Sequence, residues 1–182
     1  MPRLVAFLRA INVGGHTVTM EELRRLFEAL GLKDVETFIA SGNVLFVSPS
    51  KDLSALQRKI ERHLATSLGY EVKTFIRTEA EVAAIAQYKP FKESQLRTAV
   101  ALNVAFLADP LAAGAIESLM ALRTDIDDFH VNGREVYWLC KKRQSESKFS
   151  NIRFEKALQI RATFRGLNTV TKLAGKYANK AK

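Results

Sequence analysis

The sequence contains few residues suited to redox or metal chemistry, and it has no long apolar run. Cys140 is the only cysteine among 182 residues, which excludes an intrachain disulfide framework and favours a reducing compartment. No apolar stretch approaches the roughly 18 residues that a membrane-spanning helix needs. Arg9 interrupts the first apolar run too soon for the core of a signal peptide. The sequence therefore predicts a cytoplasmic protein with no membrane partner.

The few histidines do not form a recognisable metal or catalytic pattern. His16, His63 and His130 lack the spacing of a zinc site, and Cys140 stands apart from them. The chain also lacks a G-x-S-x-G motif and a recognisable cysteine–histidine pair. We therefore expect no metal ion and no cofactor, and the sequence leaves open whether the protein is an enzyme.

Positive charge is concentrated at the C-terminal end of the sequence. The net charge is +9, but residues 1–140 sum to −1 and residues 141–182 sum to +10, with only Glu146 and Glu155 as acidic residues in the second segment. A localised basic patch attracts phosphates more effectively than the same charge spread over the surface. Residues 141–182 are therefore a candidate nucleic-acid-binding segment, although a solvated lysine-rich face is the simpler interpretation.

Hydrophobic periodicity predicts a β-α-β-β-α-β order in the first half. Thr19 and Glu22 have the spacing of a capping box, and Gly31 and Gly69 are typical helix stops. This order is the ferredoxin-like unit. The strands are expected over residues 4–8, 35–40, 44–47 and 72–76, and the helices over residues 19–30 and 53–68.

The second half nearly repeats that order. Asn132-Gly133 is a strong hairpin signal between two short apolar runs, but no closing strand is evident before the last helix, which is expected from about Asn168. We predict an α+β fold of two ferredoxin-like halves packed together, the second without an obvious closing strand. The predicted division is residues 1–77, a connecting helix and loop over 78–97, and residues 98–182 with a basic C-terminal helix.

Five sequence motifs stand out across essentially the whole chain. They are residues 8–15 (LRAINVGG), 20–23 (MEEL), 41–46 (SGNVLF), 154–158 (FEKAL) and 162–170 (ATFRGLNTV). Together they resemble the bacterial family catalogued as domain of unknown function 1697, and the resemblance implies a fold but no established activity. The second signature of that family usually continues with Asn-Trp where this chain has Gly166-Leu167, so no ligand-stacking tryptophan is carried over.

Polar and glycine residues within these motifs are candidate ligand-binding residues. Glycines let backbone amides approach an anion, and arginine can bind phosphate or carboxylate with two hydrogen bonds. Each group also has a purely structural interpretation as a turn or a helix cap. The candidates are Arg9, Asn12, Gly14 and Gly15 after the first strand, Ser41 and Asn43 in the first hairpin, and Thr163, Arg165, Asn168 and Thr169 before the last helix.

These candidates lead to three hypotheses about function. The favoured one is a protein that binds an anionic or phosphorylated small molecule in a cleft between the halves, where the segments 9–15 and 163–169 converge. The alternative is a nucleic-acid-binding module that uses residues 141–182. A third hypothesis is an assembly protein that pairs through a free sheet edge.

Overall fold

The structure, a computed structural model, describes residues 1–39 and 42–178. The chain divides into two compact units: Met1–Ala83 forms most of one, and Ala84–Lys176 forms the other. Each unit contains a four-stranded antiparallel sheet with helices, so the predicted α+β fold with two ferredoxin-like halves is confirmed. No helix in the described ranges combines the length and the apolar character needed to cross a membrane.

The first unit has the predicted order of elements. Its strand order is β2-β3-β1-β4, so the first strand of the chain is an interior strand with a neighbour on each side. A further helix, α3 (Glu79–Gln87), contains the boundary between the units. The elements are β1 (Arg3–Leu8), α1 (Met20–Glu28), β2 (Lys33–Thr37), β3 (Asn43–Val47), α2 (Leu53–Leu68) and β4 (Thr74–Thr78).

Local capping fixes the helix ends of the first unit. The Thr19 hydroxyl accepts a hydrogen bond from the Glu22 amide at 3.1 Å, as the predicted capping box requires. Asp52 accepts a bond from the Ala55 amide at 2.9 Å at the start of α2, and α2 ends at Gly69, whose φ is 80°. These caps satisfy backbone groups that have no partner within the helix.

The core of the first unit lies between its helices and one face of its sheet. Phe27 of α1 is fully buried, and its ring lies 5.6 Å from that of Phe46 on β3. Side chains of α1 therefore pack directly on the sheet. The principal buried residues of this core are Leu4, Ala6, Leu8, Leu23, Phe27, Val44, Phe46, Leu56, Ile60, Leu64 and Ile76.

The second unit repeats this topology. Its strand order is β6-β7-β5-β8, so β5 occupies the interior position that β1 occupies in the first unit. The elements are α4 (Glu93–Leu96), β5 (Ala101–Phe106), α5 (Ala113–Met120), β6 (Asp127–Asn132), β7 (Glu135–Cys140), α6 (Asn151–Leu158), β8 (Thr163–Gly166) and α7 (Leu167–Ala178).

The interpretation that the second half lacks a closing strand was wrong. Thr163–Gly166 forms β8, which pairs antiparallel with β5 from Asn103 to Phe106. The strand is only four residues long, and Phe164 is its only large apolar side chain. Over so few residues, the apolar–polar alternation of a strand cannot be told apart from the sequence of a polar loop.

Aromatic side chains fill the core of the second unit. The Phe149 ring lies 4.6 Å from Trp138 on β7 and 4.8 Å from Phe129 on β6. Phe154 of α6 meets Phe164 of β8 edge-on at 5.2 Å, an arrangement that aromatic rings favour. The missed strand therefore contributes a ring to this core.

We expect Phe27→Ala to lower the free energy of unfolding by about 3–5 kcal/mol, because it leaves a cavity in a closed core. Urea denaturation followed by far-UV circular dichroism measures this loss. Ile152→Ala is the control, since Ile152 is 76% exposed and should change stability by less than about 0.5 kcal/mol. Equal effects of the two substitutions would contradict the assigned core.

Candidate functional site

The loop after β1 presents free backbone amides. It turns through left-handed conformations at Ala10, Gly14 and Gly15, with φ of 55°, 64° and 83°. The Gly14 and Gly15 amides are exposed and have no hydrogen-bond partner among the described residues. The half-buried Arg9 precedes them. Amides and a cation along one short segment can accommodate an anion.

Other side chains of this loop hold its shape. The Asn12 side-chain oxygen accepts a hydrogen bond from the Val18 amide at 2.7 Å. The Tyr70 hydroxyl donates to the Ile11 carbonyl at 2.8 Å, and the Tyr70 ring stacks on His16 at 3.8 Å. Burial raises the pKa of Tyr70, which keeps its hydroxyl a donor. Asn12 therefore has a structural role.

The polar residue of the first hairpin, Asn43, stabilises the turn through hydrogen bonds to Phe38. Asn43 is 1% exposed, its side-chain amide donates to the Phe38 carbonyl at 3.0 Å, and its own carbonyl accepts from the Phe38 amide at 2.9 Å. A side chain on Gly42 would approach Ile11 to 2.8 Å, so only glycine fits there. Ser41, the other candidate, lies outside the described residues.

The structure brings Asn12 and Asn43 to the same small cavity. Both line a space of about 10 Å³ together with apolar side chains such as Val18 and Leu23. This space holds about one water molecule. The two predicted residues therefore lie close together, but this cavity is too small for a metabolite.

The second group of candidates does not lie in a loop. Thr163 and Arg165 are buried within β8. The Arg165 guanidinium donates to the Thr163 hydroxyl and to the Phe164 carbonyl, both at 2.8 Å. Burial lowers the pKa of Arg165 to about 10, so the side chain remains charged at neutral pH. Both residues directly precede the last helix, as expected, but they lie in a strand that was not recognised in the sequence.

The last helix begins earlier than expected. It starts at Leu167, so Asn168 and Thr169 lie in its first turn and neither is the capping residue. The Asn168 side chain is exposed and Thr169 is half-buried. Arg9 and Arg165 belong to different units, and the convergence of their segments stays a prediction.

A buried arginine in the first unit was missed by sequence reasoning. Arg77 is 1% exposed and donates to the Ile76 carbonyl at 2.9 Å, just as Arg165 donates to the residue before it. Arg77 pairs with Val5 of β1, and Arg165 pairs with Val104 of β5. The two arginines thus occupy equivalent positions in the repeated topology. The sequence signal that could have identified Arg77 is the presence of an arginine in the last strand of each half.

The basic C-terminal segment is exposed and largely without counter-ions. Its exposed cations lie after β7, in α6 and in α7. Arg161 contacts Glu155 at 3.4 Å, but the other exposed cations form no ion pair with a described carboxylate. These are Lys141, Lys142, Arg143, Lys148, Arg153, Lys156 and Lys172.

A buried carboxylate anchors the start of this segment. Asp127 accepts hydrogen bonds from the Trp138 indole at 2.8 Å, the Ser147 hydroxyl at 2.8 Å and the Thr124 hydroxyl at 3.0 Å. These bonds tie β6 and β7 to the connection between β7 and α6. The backbone that carries Lys141 is therefore fixed in place.

Comparison with known proteins assigns the family. The model of the family described as "Protein of unknown function (DUF1697)" matches residues 1–137. The chain belongs to this family. The membership predicted from the sequence motifs is thereby confirmed. No curated protein matches the chain.

The fold is also similar to that of a solved bacterial structure. The conserved protein SP0830 from Streptococcus pneumoniae superposes with a TM-score of 0.74 at 24% sequence identity. The similarity covers 96% of this chain and 97% of that chain. At this identity the comparison establishes the architecture over nearly the full length.

We expect Asn43→Ala to destabilise the protein by about 1–3 kcal/mol, because it removes a buried side-chain amide that donates to the half-buried Phe38 carbonyl. Asn151→Ala, at an exposed position in α6, should stay within about 0.5 kcal/mol of the wild type. Urea denaturation of both variants measures the difference. An Asn43→Ala variant as stable as the wild type would contradict the structural role of this side chain.

Proposed function

We propose that the protein binds nucleic acid through a basic surface of the second unit, defined by Lys141, Lys142, Arg143, Lys148, Arg153, Lys156 and Lys172. The proposal is supported by one observation above all. These side chains are exposed, and none of them is neutralised by a described carboxylate. Cations of this kind neutralise backbone phosphates and release counter-ions, which drives binding without regard to base sequence.

The arrangement of charge in the first unit strengthens this argument. Arg24 and Arg25 of α1 pair with Glu28 and Glu21, four residues away. Lys73 lies 3.6 Å from carboxylate oxygens. Among the described exposed cations of residues 141–176, by contrast, only Arg161 has such a partner.

We expect the triple variant Lys141→Ala, Lys142→Ala, Arg143→Ala to bind duplex DNA more weakly whatever its sequence. The slope of log affinity against log salt should flatten by up to about 2.7, or about 0.9 for each lost phosphate contact. Fluorescence anisotropy with labelled duplexes of two unrelated sequences, at several salt concentrations, measures both quantities.

The matched control removes the same net charge from the first unit. Lys33→Ala, Lys51→Ala, Lys59→Ala changes three exposed lysines and should leave affinity and salt slope nearly unchanged. Equal weakening by both triple variants would show that net charge alone drives binding. Absence of any binding by the wild type at about 50 mM salt, where phosphate contacts are strongest, would refute the proposal.

A small anionic or phosphorylated molecule is the second candidate ligand, and the loop after β1 is its site. This candidate is favoured by the exposed, unbonded amides of Gly14 and Gly15. Arg9, immediately before the loop, would contribute a charge with bidentate geometry. Asn12 and Tyr70 would keep the loop in shape, as their bonds to Val18 and Ile11 do.

We expect the amide resonances of Gly14 and Gly15 to shift when phosphate is titrated into the wild-type protein. Arg9→Gln should weaken that response, because it removes the cation while keeping hydrogen-bonding capacity. Arg24→Gln, in an exposed ion pair on α1, is the control and should respond like the wild type. Two-dimensional NMR gives both readouts. Unmoved glycine resonances at millimolar phosphate would rule this site out.

A further inference from the structure

Asn103 is a polar side chain in an otherwise apolar row of the second sheet. It lies on β5 between Trp138 on β7 and Gly166 on β8, and Trp138 in turn pairs with Phe129 on β6. Asn103 is 7% exposed. Its side-chain nitrogen is buried and has no hydrogen-bond partner among the described residues. A buried donor of this kind requires a partner from outside the protein.

Gly166 leaves an opening next to that amide. In an antiparallel pair, directly opposed residues direct their side chains to the same face of the sheet. A Cβ atom built on Gly166 would meet no atom within 4 Å, so the space that a side chain of Gly166 would fill, on the face that carries Asn103, is open. Gly166 does not have a positive φ, so its backbone conformation would also allow a residue with a side chain.

The first turn of α7, which directly follows Gly166, adds further hydrogen-bond donors. The helix begins at Leu167, directly after Gly166, and Gly166 has no side chain to cap it. The amides of Asn168 and Thr169 have no partner among the described residues. Free amides and the positive end of the helix dipole favour an anion here.

Positively charged side chains follow β7 at the same end of the sheet. β7 ends at Cys140, which pairs with Ala101 two residues before Asn103 on β5, and Lys141 and Lys142 follow. The carboxylate of Asp127, which pairs with Cys140, lies at this end as well. Asp127 is buried and already accepts three hydrogen bonds.

We propose that this end of the second unit is a binding site for a single phosphate monoester. When phosphate binds, the Asn103 amide turns towards the opening at Gly166 and donates to the phosphate oxygens together with the Asn168 and Thr169 backbone amides, and Lys141 or Lys142 supplies charge. The monoester is carried either by a small molecule or by the terminus of a nucleic-acid strand. The site does not depend on the nucleic-acid proposal, because its hydrogen-bond donors, the amides of Asn103, Asn168 and Thr169, lie outside the basic surface, with which it shares only Lys141 and Lys142.

The test is titration of the full-length protein with inorganic phosphate, followed by NMR of the Asn103 side-chain amide and the Asn168 and Thr169 backbone amides. We expect all three to shift together in the wild type. Gly166→Ala fills the opening and should weaken phosphate binding by about tenfold or more, the effect of losing one hydrogen bond to a charged group. Gly175→Ala, an open glycine within α7, is the control and should bind like the wild type.

Asn103→Ala separates a binding role from a structural one. It removes an unsatisfied buried donor, so the urea midpoint should stay the same or rise while phosphate affinity falls about tenfold. A destabilised Asn103→Ala variant, with phosphate binding intact in Gly166→Ala, would overturn the proposal. Wild-type resonances that do not move with phosphate would also overturn it.

Oligonucleotides identify the source of the monoester. The wild type should prefer a 5′-phosphorylated duplex over the same unphosphorylated duplex if the natural ligand is a strand end, and Gly166→Ala should abolish that preference without changing affinity for the unphosphorylated duplex. Equal affinity for both duplexes, with phosphate binding intact, assigns the site to a small molecule. If the wild type binds phosphate but neither duplex, only the nucleic-acid proposal is contradicted.

Discussion

The architecture depends on one constraint: the first strand of each unit is an interior strand. β1 pairs with β3 and β4, and β5 pairs with β7 and β8. With both edges bonded, the backbone of an interior strand is satisfied within the sheet, and its side chains can be apolar on both faces. Leu4–Leu8 is accordingly buried throughout, and α2, which connects β3 to β4, crosses over this central strand.

Polar residues at strand ends mostly serve this architecture. Asn12, Asn43 and Asp127 each satisfy backbone or side-chain donors and acceptors that folding would otherwise bury unpaired. Such bonds contribute stability because an unpaired buried group costs about 1–3 kcal/mol. Groups available for binding are those left over: the amides of Gly14 and Gly15, the uncapped first turn of α7, and exposed cations.

The sequence was sufficient for the order of elements in the first unit, but it did not reveal one strand of the second unit or the roles of individual polar residues. The N-cap at Thr19 and the stop at Gly69 are local signals, and the structure confirms both. β8 was not predicted because four residues are too few to show the two-residue alternation of a β-strand. An asparagine that holds a hairpin and one that binds a ligand are identical in sequence, as Asn43 illustrates. Asn103 became a candidate only when its neighbours across the sheet were known.

The interior position of β1 and β5 has a consequence for synthesis on the ribosome. Each strand emerges first in its unit, yet both of its partners follow later in the chain. β1 has to wait for β3 and then β4, which are complete only after about 40 and about 70 further residues, and at about 5–20 residues per second this takes several seconds. The hairpins β2–β3 and β6–β7 close locally and offer the earliest stable edge. We expect nascent chains to form these hairpins before the first strand docks.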